Sequence, residues 1–115
     1  MYKGGWLANL KHGEGLLIHV DGSEYEGGYR DDKMHGRGVY LYQNGAKYIG
    51  EYRDNSKHGL GDYYFVDGAK YSGMYIDNTK TGQGVLTFAD GRRYNGAWLN
   101  NEYHGQGVME YTDGT

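Results

Sequence analysis

The chain has 115 residues, and it combines 22 glycines and 14 tyrosines with no proline and no cysteine. The absence of cysteine excludes disulfides and thiolate metal sites, and so many aromatic residues argue against disorder although the mean hydropathy is -0.88. The 12 basic and 15 acidic residues are scattered along the chain, which argues against a nucleic-acid partner. No apolar run approaches the roughly 20 residues of a membrane span, so we expect a soluble chain.

One unit of 23 residues is repeated five times along the chain. Each copy reads Tyr-x-Gly-x-Trp/Tyr, a short polar stretch, Gly-x-Gly, a run with bulky positions and then Asp/Asn-Gly. The first residue of this motif recurs at Tyr2, Tyr25, Tyr48, Tyr71 and Tyr94. We divide the chain into repeats 1–23, 24–46, 47–69, 70–92 and 93–115. Neither terminal repeat resembles a polar cap, so we expect the array to belong to a longer protein.

The first part of each repeat predicts a β-strand. In the second repeat Tyr25, Gly27 and Tyr29 alternate with other residues, and alternate positions of a strand share one face. Residues 30–34 supply a turn, and residues 36–42 alternate again between glycine or tyrosine and other side chains. Short Asn-Gly and Asp-Gly corners then join each repeat to the next. The sequence therefore predicts an all-β fold in which five antiparallel β-hairpins form one single-layer sheet of about ten strands.

The shared face also predicts the strand register. Three cross-strand pairs are expected within the hairpin: Tyr25 with Tyr40, Gly27 with Gly38 and Tyr29 with Gly36. This register leaves a four-residue loop at residues 31–34. At the corner between repeats the same argument requires an odd number of residues, so we expect a three-residue loop with a left-handed glycine. That glycine occurs in each repeat, at Gly22, Gly45, Gly68, Gly91 and Gly114.

Glycine weakens a strand, so its repetition in these strands predicts a packing role. We expect an aromatic ring to lie over the first glycine of each Gly-x-Gly pair. The rings Trp6, Tyr29, Tyr52, Tyr75 and Trp98 are assigned in this way to Gly13, Gly36, Gly59, Gly82 and Gly105. The second glycines Gly38, Gly61 and Gly84 are assigned to the same face. Valine at Gly59 is therefore expected to collide with the Tyr52 ring and to prevent local folding.

The second repeat contains three motifs: Tyr25-Glu26-Gly27-Gly28-Tyr29, then His35-Gly36-Arg37-Gly38, then Asn44-Gly45. Together they resemble a MORN (membrane occupation and recognition nexus) repeat, and five such copies cover the whole chain. The resemblance implies an elongated, twisted sheet of hairpins that serves as an interaction or membrane-association module. Such modules are often found in cytoskeletal, ciliary and junctional proteins, and also attached to lysine methyltransferases or phosphoinositide kinases. Two repeats depart from the pattern, with His19 in the first and Thr81 in the fourth, and we expect them to be structurally atypical.

The repeated polar residues do not predict a reaction centre. A histidine occupies the same position in four repeats, at His12, His35, His58 and His104. Equivalent residues lie two strands apart, or about 9.6 Å, which is too far to share a metal whose ligands lie at about 2 Å. The aspartates fall at turns and corners, and Gly-x-Gly lies within a strand rather than before a helix, which argues against a phosphate loop. We therefore expect no metal site, no cofactor and no enzymatic activity in these residues.

The aromatic face is the best candidate for a binding site. A single sheet has no second layer to cover such a face, so part of it is expected to remain open for a partner. The predicted groove residues are Trp6, Tyr29, Tyr42, Tyr52, Phe65, Tyr75, Phe88, Trp98 and Tyr111. We expect them to bind an amphipathic helix or an extended segment of a protein partner, or else a second copy of the chain.

The setting expected for such a scaffold is the cytoplasm, in a cytoskeletal or ciliary (axonemal) assembly. This expectation comes from the resemblance. Two alternatives are open. In the first, the array is a targeting or regulatory arm of an enzyme such as a methyltransferase or a lipid kinase. In the second, it associates with phospholipid membranes, which the net charge of -3 disfavours.

Overall fold

The computed structural model describes residues 1–111, which form one open antiparallel sheet. Its strands are β1 (Tyr2–Leu7), β2 (Leu10–Ile18), β3 (Glu24–Arg30), β4 (Lys33–Leu41), β5 (Lys47–Arg53), β6 (Ser56–Tyr64), β7 (Lys70–Ile76), β8 (Thr79–Thr87), β9 (Arg93–Leu99) and β10 (Glu102–Glu110). They lie side by side in chain order. The molecule measures 56 × 25 × 16 Å, so the prediction of an elongated all-β array of tandem hairpins is confirmed. Within this described part no helix is long and apolar enough to cross a membrane.

Within each repeat the two strands are joined by a two-residue turn. Asp31 and Asp32 have φ angles of 51° and 68°, and Arg30 pairs directly with Lys33. Positive φ at both central residues is the signature of a type I′ turn, whose twist matches that of the strands, and aspartate and asparagine tolerate this conformation. The other turns are Ala8-Asn9, Asp54-Asn55, Asp77-Asn78 and Asn100-Asn101. The predicted four-residue loop at residues 31–34 is therefore wrong.

The prediction placed four residues in the loop, but the turn has only two. The second strand accommodates the two additional residues in a bulge. Tyr29 faces Met34 rather than the predicted Gly36, whereas Tyr25 faces Tyr40 as predicted. Three residues of β4, 35–37, consequently lie opposite a single residue of β3. Gly36 has a φ of 81° in this bulge, so its backbone conformation is one that other residues rarely adopt. The equivalent glycines Gly13, Gly59, Gly82 and Gly105 also have positive φ angles.

The bulge changes which glycine lies under which ring. A Cβ atom on Gly36 would meet no other atom within 4 Å, so the assignment of Tyr29 as its cover is wrong. The same assignments of Trp6 to Gly13, Tyr52 to Gly59, Tyr75 to Gly82 and Trp98 to Gly105 are wrong, because these glycines serve the bulge. The second glycine of each pair lies under the first tyrosine of its repeat instead. A Cβ on Gly38 would approach Cζ of Tyr25 to 2.6 Å, which no packing tolerates.

The corners between repeats agree with the prediction. The amide of Gly45 donates to the carbonyl oxygen of Tyr42 at 3.0 Å, and the amide of Tyr42 donates to that of Ala46 at 2.9 Å. Residues 43–45 thus form a three-residue loop in which Gly45 has a φ of 96°. The Asn44 side chain accepts a hydrogen bond from the Ala46 amide, which favours asparagine or aspartate before the glycine. Gly22, Gly68 and Gly91 have the same conformation, and Gly114 lies outside the described residues.

The core is a continuous ladder of tyrosine rings. Tyr48 is fully buried, and it packs edge to face on Tyr52 of its own repeat and on Tyr75 of the next, with ring centroids 5.2 and 5.4 Å apart. Its hydroxyl donates to the carbonyl oxygen of Glu51 at 2.9 Å. Tyr25 and Tyr71 are buried in the same way. Each repeat therefore completes the core of its neighbour, and this ladder gives a one-layer sheet a hydrophobic interior.

The first repeat differs from the others in its first strand and not at His19, on which the expectation was based, because the corner at His19 has the same two backbone hydrogen bonds as the corner at Tyr42. β1 has six residues whereas β7 and β9 have seven. Its ring Trp6 is 58% exposed, but Trp98 at the same place in the last repeat is 5% exposed. Trp98 packs on Tyr71 of the preceding repeat at 5.3 Å. Among residues 1–111 the Trp6 ring packs on one aromatic ring, that of Tyr2 in its own repeat, at 5.0 Å.

The fourth repeat is regular, which contradicts the expectation based on Thr81. Its strands have seven and nine residues, like those of the repeats before it. The Thr81 hydroxyl accepts a hydrogen bond from the backbone amide of Asn100 at 3.3 Å. In the third repeat His58 Nδ1 accepts the equivalent bond from Asp77 at 3.5 Å. Threonine thus replaces histidine as the acceptor for the neighbouring turn.

A second ladder joins the hairpin turns. The backbone amide of Asn55 donates to the Met34 carbonyl oxygen at 3.0 Å, and the Asn55 side-chain oxygen accepts from the Met34 amide at 2.8 Å. The same pair of bonds joins Lys11 to Asp32, Lys57 to Asn78 and Lys80 to Asn101. An asparagine or aspartate at the second turn position therefore extends the sheet hydrogen bonding along its edge.

We expect Asn55→Ala to lower the free energy of unfolding by about 1–2 kcal/mol, because it removes one hydrogen bond and places alanine in a left-handed conformation. Urea denaturation followed by circular dichroism measures this loss. Asn55→Asp is the matched control and is expected to retain stability, since Asp32 makes the same bond in the preceding turn. Equal stability of the alanine variant and the wild type would contradict a role for the side-chain bond.

Candidate partner-binding groove

The predicted groove residues differ in how much surface they offer. Four of the rings are only 3–5% exposed and belong to the core: Tyr29, Tyr52, Tyr75 and Trp98. Three are partly buried: Tyr42, Phe65 and Phe88. Trp6 and Tyr111, near the two ends of the described chain, are 58% and 47% exposed. The core rings form the floor beneath the partly buried rings, so contact with a partner falls mainly to the second and third sets.

The partly buried rings form a continuous row beside the core ladder. Tyr40 and Tyr42 have ring centroids 4.6 Å apart, Tyr42 and Tyr63 5.6 Å, and Tyr63 and Phe65 4.8 Å. The sequence pattern placed Tyr42 and Phe65 in the groove but did not single out the intervening Tyr63. We call this face the aromatic groove. Its floor consists of the core rings Tyr29, Tyr52, Tyr75 and Trp98, and its outer row includes Tyr40, Tyr42, Tyr63 and Phe65.

Lysine side chains in the aromatic groove were missed by the sequence analysis. Nζ of Lys57 lies 5.5–5.8 Å from the centroids of four rings, which are those of Tyr42, Tyr48, Tyr63 and Tyr75. Nζ of Lys80 lies 5.6 Å from Phe65 and Tyr71 and 6.0 Å from Trp98. Such positions allow cation–π attraction. The signal in the sequence was the spacing of 23 residues from Lys57 to Lys80, one full repeat, within a predicted aromatic face.

The two lysine side chains are partly shielded from water. Burial lowers the pKa of Lys57, and the nearby charge of Lys80 lowers it further. Burial also lowers the pKa of Lys80. Among residues 1–111 neither ammonium lies within 4.0 Å of a carboxylate, whereas Lys11, at the equivalent place in the first repeat, lies 3.9 Å from Asp32.

Two recesses open between the outer rings. One has a volume of about 320 Å³, and both Lys57 and Lys80 line it together with Tyr63, Phe65 and Tyr75 and the amide side chains of Asn78 and Asn101. The next, of about 480 Å³, lies beyond Lys80, where Leu86, Trp98, Glu102 and Tyr103 contribute to its walls. Both recesses are apolar in part and carry cations, so the aromatic groove can accommodate a ligand that combines apolar groups with negative charge.

The period, the paired aromatic residues and the glycine pattern are also those of a protein family. The family model described as MORN repeat matches residues 2–24, 25–47, 48–70, 71–92 and 94–115. The chain belongs to the MORN repeat family. The matched repeats begin at Tyr2, one residue after the first boundary that we assigned. No curated protein sequence matches the chain. MORN repeats are in general protein- or membrane-interaction repeats, and they are generally non-catalytic.

The repeated histidines of these MORN repeats have different environments. His58 Nδ1 is 3.8 Å from a carboxylate oxygen of Asp77 and accepts a bond from its backbone amide, as described above. His12 and His35 have buried Nδ1 atoms without a hydrogen-bond partner in the described part of the chain. No group of three histidine, aspartate or glutamate side chains suited to a metal ion occurs in residues 1–111. Among the described histidines, His58 is thus the one whose side chain hydrogen-bonds to a neighbouring turn.

The opposite face of the MORN sheet carries a smaller aromatic and basic cluster. Lys47 and Lys70 flank Tyr64, and each ammonium lies 5.1 Å from the centroid of its ring. Arg93, two strands further along the same row, forms an ion pair with Glu110. In this row the charge of Arg93 is therefore compensated by Glu110.

Proposed function

We propose that this MORN array is a non-catalytic protein-interaction module that holds a partner segment along the aromatic groove. The observation that carries the proposal is the outer row of rings, Tyr40, Tyr42, Tyr63 and Phe65. The core ladder already joins the repeats, and these rings add an apolar row that remains partly exposed. Exposed apolar rows beside recesses are typical of binding surfaces.

A helix or an extended segment is the occupant that suits this shape. Equivalent side chains of successive repeats lie about 9.6 Å apart along the groove, close to the rise of about 10.5 Å over seven residues of a helix. A long partner lying across the strands meets the same set of side chains at every repeat. The cytoplasmic setting and a cytoskeletal or ciliary assembly are part of the proposal, and the resemblance of the repeats to those found in such proteins is their support.

We expect a photo-cross-linking residue at position 65 to capture a partner from a cytoskeletal or ciliary extract. Leu60 supplies the matched control, because it is 60% exposed and its strand pairing places it on the opposite face. A cross-linker at position 60 is expected to capture much less of the same protein. A cross-link to a second copy of the chain would identify a homodimer instead. Equal capture at both positions would contradict the proposed groove.

Phospholipid binding is a second candidate, supported by the cluster of Lys47, Tyr64 and Lys70 on the opposite face. Two lysines beside an aromatic ring attract anionic headgroups, each contributing about 1 kcal/mol near a charged surface. Flotation with vesicles containing phosphoinositides tests it at low salt. A Lys47→Gln/Lys70→Gln variant that floats like the wild type, or a wild type that does not float, would exclude this role.

A further inference from the structure

Lys57 and Lys80 bring positive charge into the aromatic groove without a counterion from residues 1–111. Removing an ammonium from water is costly unless it is paired, and the surrounding rings compensate for only part of that cost. The recess of about 320 Å³ is lined by both lysines and by two amide side chains, and no carboxylate is among its lining residues. The charge of this recess is therefore complementary to an anion.

The first repeat shows how the same position looks when the chain supplies the counterion. Lys11 occupies the place of Lys57, and its ammonium lies 3.9 Å from the carboxylate of Asp32. Asp32 is the second turn residue of the next repeat, and the residues equivalent to it beside Lys57 and Lys80 are Asn78 of the fourth repeat and Asn101 of the fifth. Both asparagines accept the same backbone hydrogen bond as Asp32, so the turn is built identically but without negative charge.

We propose that the partner segment held by the aromatic groove is acidic, and that its carboxylates enter the recess between Lys57 and Lys80 while its apolar side chains cover Tyr63 and Phe65. This inference rests on the function proposed above. Successive lysines are about 9.6 Å apart along the groove, and a helix rises about 10.5 Å over seven residues. A helical partner with glutamate or aspartate at every seventh position therefore presents one carboxylate to each lysine.

A carboxylate is favoured over a phosphate by the composition of the recess. Phosphate sites are commonly built from arginine forks or from concave runs of backbone amides. The lining of this recess contains two lysines, two amide side chains and three aromatic rings, and no arginine. Glu102 lies in the neighbouring recess, beyond Lys80, and its charge directs an incoming anion toward the Lys57 side.

The test uses two synthetic amphipathic helical peptides that carry the same leucines, one with glutamate and one with glutamine at every seventh position. Fluorescence anisotropy measures their binding to the full chain at low salt. We expect the glutamate peptide to bind about tenfold more tightly, as a desolvated charge pair allows. In the variant Lys57→Met/Lys80→Met the two peptides are expected to bind equally. Methionine is suited to this position because Met34 occupies it in the second repeat.

Asn78→Asp is a second variant that leaves both lysines in place. It supplies Lys57 with the carboxylate that Asp32 gives to Lys11, so the glutamate peptide is expected to bind several-fold more weakly and the glutamine peptide to be unaffected. Lys11→Met is the control and is expected to change neither affinity. Thermal melting of each variant checks that the fold is retained.

Several outcomes would overturn the inference. These are equal binding of both peptides to the wild type, binding of neither, a preference that survives the double methionine variant, and displacement of the glutamate peptide by anionic vesicles. The last would assign the lysines to lipid headgroups. If photo-cross-linking at Phe65 succeeds while the peptides show no preference for charge, the acidic partner is excluded and the proposed interaction function stands. If cross-linking also fails, the function itself is excluded.

Discussion

Gly61→Val is expected to unfold the centre of the array. A Cβ atom at Gly61 would lie 2.6 Å from Cζ of Tyr48, which is fully buried. The ring has no room to move, because Tyr52 and Tyr75 pack on it from either side. Overpacking and the loss of a buried aromatic cost about 3–5 kcal/mol, a large part of the stability of a small domain. Far-UV circular dichroism and urea denaturation measure the effect.

Gly36→Ala is the matched control for this prediction. Gly36 has a φ of 81°, but a Cβ there meets nothing within 4 Å. The alanine variant is therefore expected to lose only the 1–2 kcal/mol that a left-handed alanine costs. If Gly61→Val and Gly36→Ala destabilise the protein equally, the packing of Tyr48 over Gly61 does not hold the repeats together.

The comparison of Gly59 with Gly61 shows how far the sequence predicts this fold. The periodic alternation correctly placed tyrosines and glycines on one face, and it predicted the corner loop at Gly45. It then assigned Gly59 to the Tyr52 ring, but Gly59 has a φ of 100° and a Cβ there would lie 2.6 Å from Oε2 of Glu51. Valine at Gly59 is still unfavourable, because of backbone strain and the Glu51 side chain.

The error has a physical cause. The alternation of side chains along a strand determines only which residues share a face of the sheet. The same residues share that face whether the hairpin has a four-residue loop or a two-residue turn with a bulge. The choice between them depends on the backbone conformations of Asp31, Asp32 and Gly36, which all have positive φ. Aspartate is a common residue in both kinds of turn, so its presence did not decide between them.

The sequence predicted which face of the sheet is aromatic, but it did not predict which side chains of that face are buried, nor that lysines lie among them. Alternation indicated that Tyr52 and Phe65 share a face, but only the packing of neighbouring repeats makes the first a core residue and the second an outer one. Lys57 escaped notice because a lysine in a polar turn region usually reaches into water. Its four surrounding rings come from three repeats, so no single repeat contains the information.

Alkaline unfolding is the second large effect that we expect, and it follows from the tyrosine ladder. Burial raises the pKa of Tyr29 and of Tyr71 from 10.0 to about 12. The pKa values of four further core tyrosines are raised more strongly, and burial is again the main cause: Tyr25, Tyr48, Tyr52 and Tyr75. These side chains stay neutral in the folded protein at a pH where the unfolded chain ionises.

The sign of the effect follows from which state holds the protons. Below a pH of about 10 the tyrosines are neutral in both states, and stability is unaffected by them. As the pH rises from about 10 through about 12, the unfolded state loses protons that the folded state retains, and each tyrosine removes about 1.4 kcal/mol per pH unit. With six such side chains in one ladder, we expect the whole array to unfold within this window.

Circular dichroism and the ultraviolet absorbance of phenolate, recorded together during an alkaline titration, check this prediction. The loss of sheet signal and the ionisation of the core tyrosines are expected to coincide, because the rings must leave the ladder before they ionise. Tyr29→Phe is an informative variant, since the Tyr29 hydroxyl is buried without a hydrogen-bond partner in residues 1–111. It is expected to fold normally and to shift the transition to higher pH. Full ionisation near pH 10 with the sheet intact would show that solvent reaches the ladder, and that the aromatic groove is open to its floor.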